Sequence, residues 1–295
     1  MEKFTFEVNE REPLIRLDQY LVNTFPKSIS RSHVKKLIDN GKILVNGIKV
    51  KVHHKIRPGE KIEVLLEEQP LDLKPEDIPL NIIYEDADII VVDKPPGIAT
   101  HPGPGIASGT LVNALLHHCK SLSIISEARP GIVHRLDKGT SGVMVIAKNN
   151  YSHMELAKQF KERTIKKRYI ALVKGNVELD EGVVDLPIGR HPRLRQKMAV
   201  RYGLSKKAVT EYKVLKRFKD FTMLELNLKT GRTHQIRVHM AYLGHPILGD
   251  KKYGAKDEFY RVALHSYVLG FRHPRTGQVL EFRTELPGDI KGLIS

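Results

Sequence analysis

Cysteine is almost missing from this sequence: Cys119 stands alone among 295 residues. One cysteine allows no intramolecular disulfide framework and no cysteine-cluster zinc site, which also removes the zinc nucleobase deaminases with their paired cysteines. Long apolar runs are missing too, and none approaches the ~18 residues that cross a bilayer. The opening residues, MEKFTFEVNEREP, hold four acids and no apolar stretch, unlike a secretory signal or a transit peptide. These absences predict a soluble cytoplasmic chain. The glycine-rich text HPGPGIASGT lacks the Lys-Ser/Thr ending of a P-loop and misses the dinucleotide spacing. GTSG at 139–142 is one residue short of a nucleophile elbow. The adjacent histidines at 53–54 and 117–118 diverge on any helix or strand, so no metal site is expected. Nothing calls for a cofactor.

Basic residues, by contrast, are plentiful. Lys and Arg number 49 against 34 Asp and Glu, a formal charge of +15, beside a 41% hydrophobic fraction sufficient for a real core. A surface this basic concentrates polyanions. The excess is uneven: residues 1–70 hold 13 basic and 10 acidic side chains, whereas 161–220 hold 17 and 7. The second stretch includes RHPRLRQKMAVRYGLSKK (190–207), whose Arg190, Arg193, Arg195 and Lys197 are candidate RNA contacts. Such a run is either an ordinary solvated face or a surface for nucleic-acid phosphates, where each engaged cation steepens the salt dependence. Tyr202 is its only ring, so it is no stacking platform.

Local patterns divide the chain. Within 15–68, apolar residues at Ile15, Leu17, Tyr20, Leu21 and Phe25 predict a short helix. Ser28–Ser30 offer N-caps for a second helix, RSHVKKLIDN, closed by Asn40-Gly41. That helix presents Arg31, Lys35 and Lys36 outward and Val34, Leu37 and Ile38 inward. Asn46-Gly47 within KILVNGIKV predicts a hairpin, and KIEVLLEE a strand. Residues 69–79, with three prolines and no periodicity, read as a linker. Residues 80–295 read as one larger domain. Its strands are expected in ADIIVVDKP, VMVIAK and KRYIALVKG, and its helices in TLVNALLHHC, NYSHMELAKQFKER and QIRVHMAYLG. EYKVLKRFKDFTMLELNLKTG reads as a hairpin about Lys219-Asp220. Strands dominate, so the class is α+β with a mixed sheet.

Two runs carry chemistry. In GIVHRLDKGTSGVMVIAK (131–148), Asp137 stands between an apolar piece and a Gly/Ser/Thr turn. A carboxylate held there by backbone yet accessible suits a nucleophile or a general base, and equally suits a turn cap. In KTGRTHQIRVHMAYLGHPILGD (229–250), Arg232, His234, Gln235 and Arg237 gather around a helix start. Donors in that arrangement suit a phosphate or the Asp137 carboxylate, and spacing does not choose between them.

HRLDKGTSG and TGRTHQIRVH, with DKPPGIATHPG before them and LHSYVLGFRHPRTGQVLEF after, resemble the RluA-type family of large-subunit ribosomal RNA pseudouridine synthases. The resemblance spans the 80–295 domain. The 15–68 module looks like the alpha-L RNA-binding domain of ribosomal proteins, and the two together resemble the RluD-like branch. The resemblance implies a pseudouridine synthase fold with a largely antiparallel central sheet and flanking helices, preceded by a small α/β RNA-binding domain. It implies cofactor-free isomerisation of uridine in ribosomal RNA or a pre-ribosomal particle. Asp137 matches the aspartate that attacks or deprotonates the ribose so that the N1–C1′ bond breaks before uracil rejoins through C5. Arg237 matches its partner. Tyr169 matches the tyrosine that stacks on uracil, and Arg135 an arginine inserted where a base leaves its stack. His134, Arg232, His234 and Gln235 are expected to contact substrate or phosphate. Arg31, Lys35 and Lys36 would position RNA on the small domain. The sequence departs from the family pattern at Thr100, where valine is common, and Ser266, where alanine is common. A non-catalytic assembly factor, a transfer RNA enzyme and a hydrolase that stops at cleavage stay open as rivals.

Overall fold

Alternating Phe4, Phe6 and Val8 build the first element, β1 (Glu2–Glu7), which lies ahead of the residue-15 start suggested by the sequence. In this computed structural model all residues are described except 1, 10–13, 26–30, 67–72, 104, 127–128, 195, 204 and 256. The chain divides into two units, Met1–Asp72 and Leu73–Ser295. The expected N-cap serines and the first part of the expected linker lie outside the described residues.

The first unit continues through α1 (Leu17–Thr24), α2 (Arg31–Asp39), β2 (Ile43–Val45), β3 (Ile48–Lys49) and β4 (Lys61–Leu66). Its sheet has the order β1-β4-β2-β3. Asn46 and Gly47 both take left-handed backbone, φ 49° and 77°, as a two-residue turn between twisted strands requires. Leu17, Leu21, Val34 and Ile38 from the helices pack on Ile43, Ile62 and Val64. Beneath them Asp18 is buried and accepts from Arg16 and Arg31 at 2.9 and 2.6 Å. Arg31, expected to face RNA, is therefore exposed but tethered at one end. Lys35 is exposed; the Lys36 side chain lies outside the described ones.

The second unit begins with extended chain whose Glu76 N–H donates to Asn113 C=O and whose Lys74 C=O accepts from the Asn113 carboxamide. Its elements are β5 (Ile82–Glu85), β6 (Ile89–Lys94), α3 (Leu111–His118), β7 (Ser141–Ala147), α4 (Asn150–Glu162), β8 (Lys166–Lys174), β9 (Glu181–Asp185), β10 (Ile188–Arg190), β11 (Met198–Val200), β12 (Val209–Arg217), β13 (Phe221–Leu228), α5 (Gln235–Tyr242), β14 (Leu264–Arg272), β15 (Val279–Arg283) and α6 (Gly288–Ile294). A nine-stranded sheet runs β5-β6-β7-β14-β8-β13-β12-β9, with β15 also on β14. Of its described pairs only β7–β14 is parallel, so the sheet is mixed and largely antiparallel. No helix among the described residues is long and apolar enough to cross a membrane.

Both faces of the central strands are covered. Ile90, Val92, Met144 and Ile146 pack with α3, α5 and α6 on one side, while Ile89, Val91, Val143 and Val145 pack toward Leu156 of α4 on the other. Two-sided burial turns β6 and β7 into continuous apolar text. At the end of β6 the fold buries Lys94 completely, its ammonium donating to Pro95 C=O and Ile98 C=O at 2.8 and 2.9 Å. Burial pushes it down to about 7, against the pull of the Asp137 charge. Between pH 7 and the ordinary lysine range the unfolded chain then holds a proton that the folded chain has lost, so this residue makes stability rise with pH in that window. Lys94→Met should remove that component. In urea unfolding at pH 7, 8.5 and 10, the stability of wild type relative to the variant should climb with pH; a flat difference would contradict the assignment.

Candidate active site

Asp137 sits on the connection between α3 and β7 and is fixed through its neighbours. The Thr100 hydroxyl donates to Leu136 C=O at 2.8 Å and accepts from Leu136 N–H at 3.3 Å. The unusual threonine is thus a clamp on the backbone just before the carboxylate. Asp137 C=O accepts from Thr140 N–H at 3.0 Å, closing a turn into β7. Gly139 C=O in that turn accepts from Arg261, which is anchored on both oxygens of Asp289.

The carboxylate opens onto a cleft of about 650 Å³. Arg237, in the first turn of α5, donates from Nη1 to Asp137 Oδ2 at 2.8 Å. Its other edge forks onto Asp250, Nε to Oδ2 at 2.7 Å and Nη2 to Oδ1 at 2.8 Å. Between the two readings of this cluster, Arg237 takes the internal ion pair. Burial alone would lower its pKa, but the bonds and charge of Asp250, with those of Asp137, hold it above its ordinary value. Asp250 is 1% exposed and reaches Arg237 because the preceding Gly249 makes a turn no other residue could make. Its φ is 73°, and a Cβ would lie 1.8 Å from Arg261 C=O.

His234 precedes α5 in left-handed backbone, φ 56°. The Tyr253 hydroxyl accepts from Met198 N–H at 2.9 Å and lies within hydrogen-bond distance of His234 Nδ1, at 2.7 Å. The other ring nitrogen, Nε2, lies 3.7 Å from Asp137 Oδ2. Burial pushes His234 down to about 4 in spite of the Asp137 charge, so the ring is neutral at neutral pH. Tyr169 lines the same cleft from β8. Burial pushes its phenol up to about 12, opposed by a hydrogen bond with Ser266 and aided by the Asp137 charge. Ser266 is directly opposite Tyr169 across β8 and β14, so the second unusual residue supplies the phenol's partner.

The remaining expected residues divide. Arg135 is exposed at the cleft, Nη1 3.4 Å from His101 Nε2. His134 stacks on Phe160 at 4.7 Å and accepts from Val145 N–H at 3.1 Å. Burial, then the Lys167 charge, pushes it down to about 3, making it a neutral wall of the cleft. Arg232 lines the cleft while its Nε donates to Lys207 C=O at 3.0 Å. Gln235 lines the cleft with its carboxamide engaged by the protein. Its oxygen accepts from Thr230 Oγ1 and Arg232 N–H, and its nitrogen donates to Val209 C=O and Thr210 Oγ1. All its bonding capacity shapes the loop ahead of α5. Arg193 is exposed and Lys197 half-buried on the β10–β11 hairpin, which meets the site through Met198 and Tyr253; Arg195 lies outside the described residues. Asp250, Tyr253 and Lys167 escaped the sequence reading, although Asp250 closes the very run in which Arg237 stood out.

Two ligand-like groups exist away from the cleft, Glu85 with His118 and Cys119, and Asp86 with Asp88 and His273. Their acids already hold Lys148 and His118, and His273 and Arg275.

A carboxylate braced by a buried arginine opens onto a cleft lined by Tyr169, on a largely antiparallel sheet. Residues 88–242 match the family model described as RNA pseudouridylate synthase, and residues 15–62 match the S4 domain model. The chain belongs to the RNA pseudouridylate synthase family, an isomerase whose partner is RNA. It is 50% identical over 309 residues to an uncharacterised RNA pseudouridine synthase of Aquifex aeolicus, covering 100% of this chain and 96% of that protein. It is 43% identical over 296 residues to the ribosomal large subunit pseudouridine synthase D of Pasteurella multocida, covering 95% of this chain and 90% of that one. The solved structure of human RNA pseudouridylate synthase domain containing 1 superposes with a TM-score of 0.59 at 26% identity, over 75% of this chain and 86% of the human one.

Proposed function

We propose that the cleft isomerises specific uridines of structured large-subunit ribosomal RNA, in the cytoplasm, with Asp137, Tyr169 and Arg237 as its catalytic set. The observation that carries this reading is the 2.8 Å pair between Asp137 and Arg237 opening onto the cleft that Tyr169 lines. Arg237 holds the carboxylate at 2.8 Å and aims it, so that it can attack C1′ or take the ribose proton while the N1–C1′ bond breaks. Uracil, retained against Tyr169, turns and rejoins through C5, so that a C5–C1′ bond replaces the N1–C1′ bond, the C5 proton passes to solvent and N1 takes one up. Burial keeps the phenol protonated, which favours Tyr169 as the stacking surface over a role as base. Arg135 at the rim suits filling the gap left by an extruded base, whose unstacking costs roughly a few kcal/mol. The Pasteurella relative's name supports the ribosomal target, and the module at 15–68 a targeting role for the small domain.

Tritium release from transcribed large-subunit ribosomal RNA carrying 5-tritiated uridine tests the reading, with nucleoside analysis of the product. Release accompanied by pseudouridine is expected. Free uracil would mean a hydrolase, release from transfer RNA alone would change the substrate, and no release from any RNA would favour the binding-factor reading.

A further inference from the structure

We propose that Lys167 and Arg163 form a phosphate-binding subsite inside the cleft, for the phosphodiester of the same nucleotide whose base lies on Tyr169 and whose ribose meets Asp137. This deepens the proposed function and rests on it for the placing of base and ribose. Lys167 stands two residues before Tyr169 on β8, so both side chains leave the same face of the strand, and both line the cleft. Their separation along the strand is comparable to the span from a nucleobase to its own phosphate.

Three observations call for an anion there. First, Lys167 is only 8% exposed, yet among the described residues no carboxylate pairs with it and no hydrogen bond serves its ammonium. Lysines buried to that degree are otherwise almost always paired. Burial lowers its pKa and the charge of Arg163 lowers it further, so nothing nearby supports the proton. Second, Arg163 caps the C-terminus of α4 with φ 61°. Helices ordinarily place glycine in that left-handed position, since a Cβ is strained there. An arginine kept at a glycine's place, facing the same cleft and likewise without an ion pair, points to use of its charge. Third, among the described residues Asp137 is the single acid lining the cleft, and Arg237 already pairs with it. Lys161 and Arg129 add further positive charge along the wall. A phosphodiester would relieve the repulsion and supply acceptors to both cations.

The test separates charge used on RNA from charge used in the fold. Lys167→Met, Lys167→Arg and Arg163→Gly would be compared with wild type for binding to polyuridylate and to transcribed large-subunit ribosomal RNA across a salt series at pH 7. Melting temperature and tritium release would be followed in parallel. Lys167→Met and Arg163→Gly should each flatten the slope of log Kd against log salt by about 0.7–0.9 and lower kcat/KM about tenfold, the loss of one charge-assisted hydrogen bond. Neither should melt lower than wild type, because one sheds an unpaired charge on a largely buried side chain and the other relieves a strained backbone. Lys167→Arg should keep the wild-type slope. Unchanged slopes in both variants, with normal tritium release, would overturn the subsite, as would a fall in melting temperature accompanying every loss of binding. Absence of tritium release from wild type, with the slopes behaving as expected, would instead remove the proposed reaction and leave an RNA-phosphate site standing.

Discussion

Asp137→Asn should abolish tritium release while leaving the protein as stable as wild type. The amide retains an oxygen to accept from Arg237 Nη1, which now reaches Asp137 at 2.8 Å. The Leu136 clamp by Thr100 and the turn to Thr140 are made by backbone and persist. What is lost is the carboxylate, the one acid that lines the cleft among the described residues. The size of the loss also tells the two chemistries apart. Removing a general base lowers turnover by about 10²–10⁴, whereas removing a covalent nucleophile approaches the ~10⁶ seen when such a group is deleted from a protease. Single-turnover tritium release, with RNA binding and melting temperature measured on the same preparations, checks both parts. Full release by the variant would end the assignment of Asp137.

Asp250→Asn should be as damaging by another route. The Asp250 carboxylate is buried and takes both Nε and Nη2 of Arg237. Breaking one side of a buried ion pair costs about 3–5 kcal/mol, because the other charge is left without compensation. The amide nitrogen would also face a guanidinium edge that can only donate. Arg237 would then be free to turn its fork onto Asp137, engaging the carboxylate proposed to act on the ribose. A substantial fall in urea midpoint, together with a loss of about 10² or more in kcat/KM, is expected. The double variant Arg237→Met with Asp250→Leu separates the two effects. Replacing a buried pair with apolar residues of similar volume commonly restores stability, so the double variant should regain most of the lost midpoint while staying inactive. Recovery of activity along with stability would show that Arg237 matters only to the fold.

The local elements were legible where local chemistry decides them. Asn46-Gly47 demands left-handed backbone, and a two-residue hairpin forms there. The apolar spacing of α4 and α5 and the glycine beyond Leu243 delimit those helices. β14 was not legible, because burial of both faces removes its alternation, and its parallel pairing with β7 joins His265 to Ser141 across the chain. The candidate site followed the same division. Asp137 and Arg237 each stood out in polar text, but their pairing spans 100 positions, and spacing alone left a phosphate as good a partner. Asp250, in a Gly-Asp turn, looked like any turn residue until the fork of Arg237 gave it a role. Lys167 was hidden in a basic run that reads as solvated surface. The four internal hydrogen bonds of Gln235 were equally hidden, since a polar residue at a helix start does not announce its partners.

The parallel pair of β7 and β14 bears on when the enzyme becomes competent during its own synthesis. Asp137 leads into β7, Tyr169 lies on β8, and the strand between them in the sheet is β14, at residues 264–272. Arg261, just ahead of that strand, steadies the Asp137 turn from an anchor at Asp289, close to the chain's end. A nascent chain that has already made its aspartate, tyrosine and arginine therefore lacks the strand that sets two of them side by side. Such a chain carries its N-terminal S4 unit before the strand that joins the two sides of the cleft has been made.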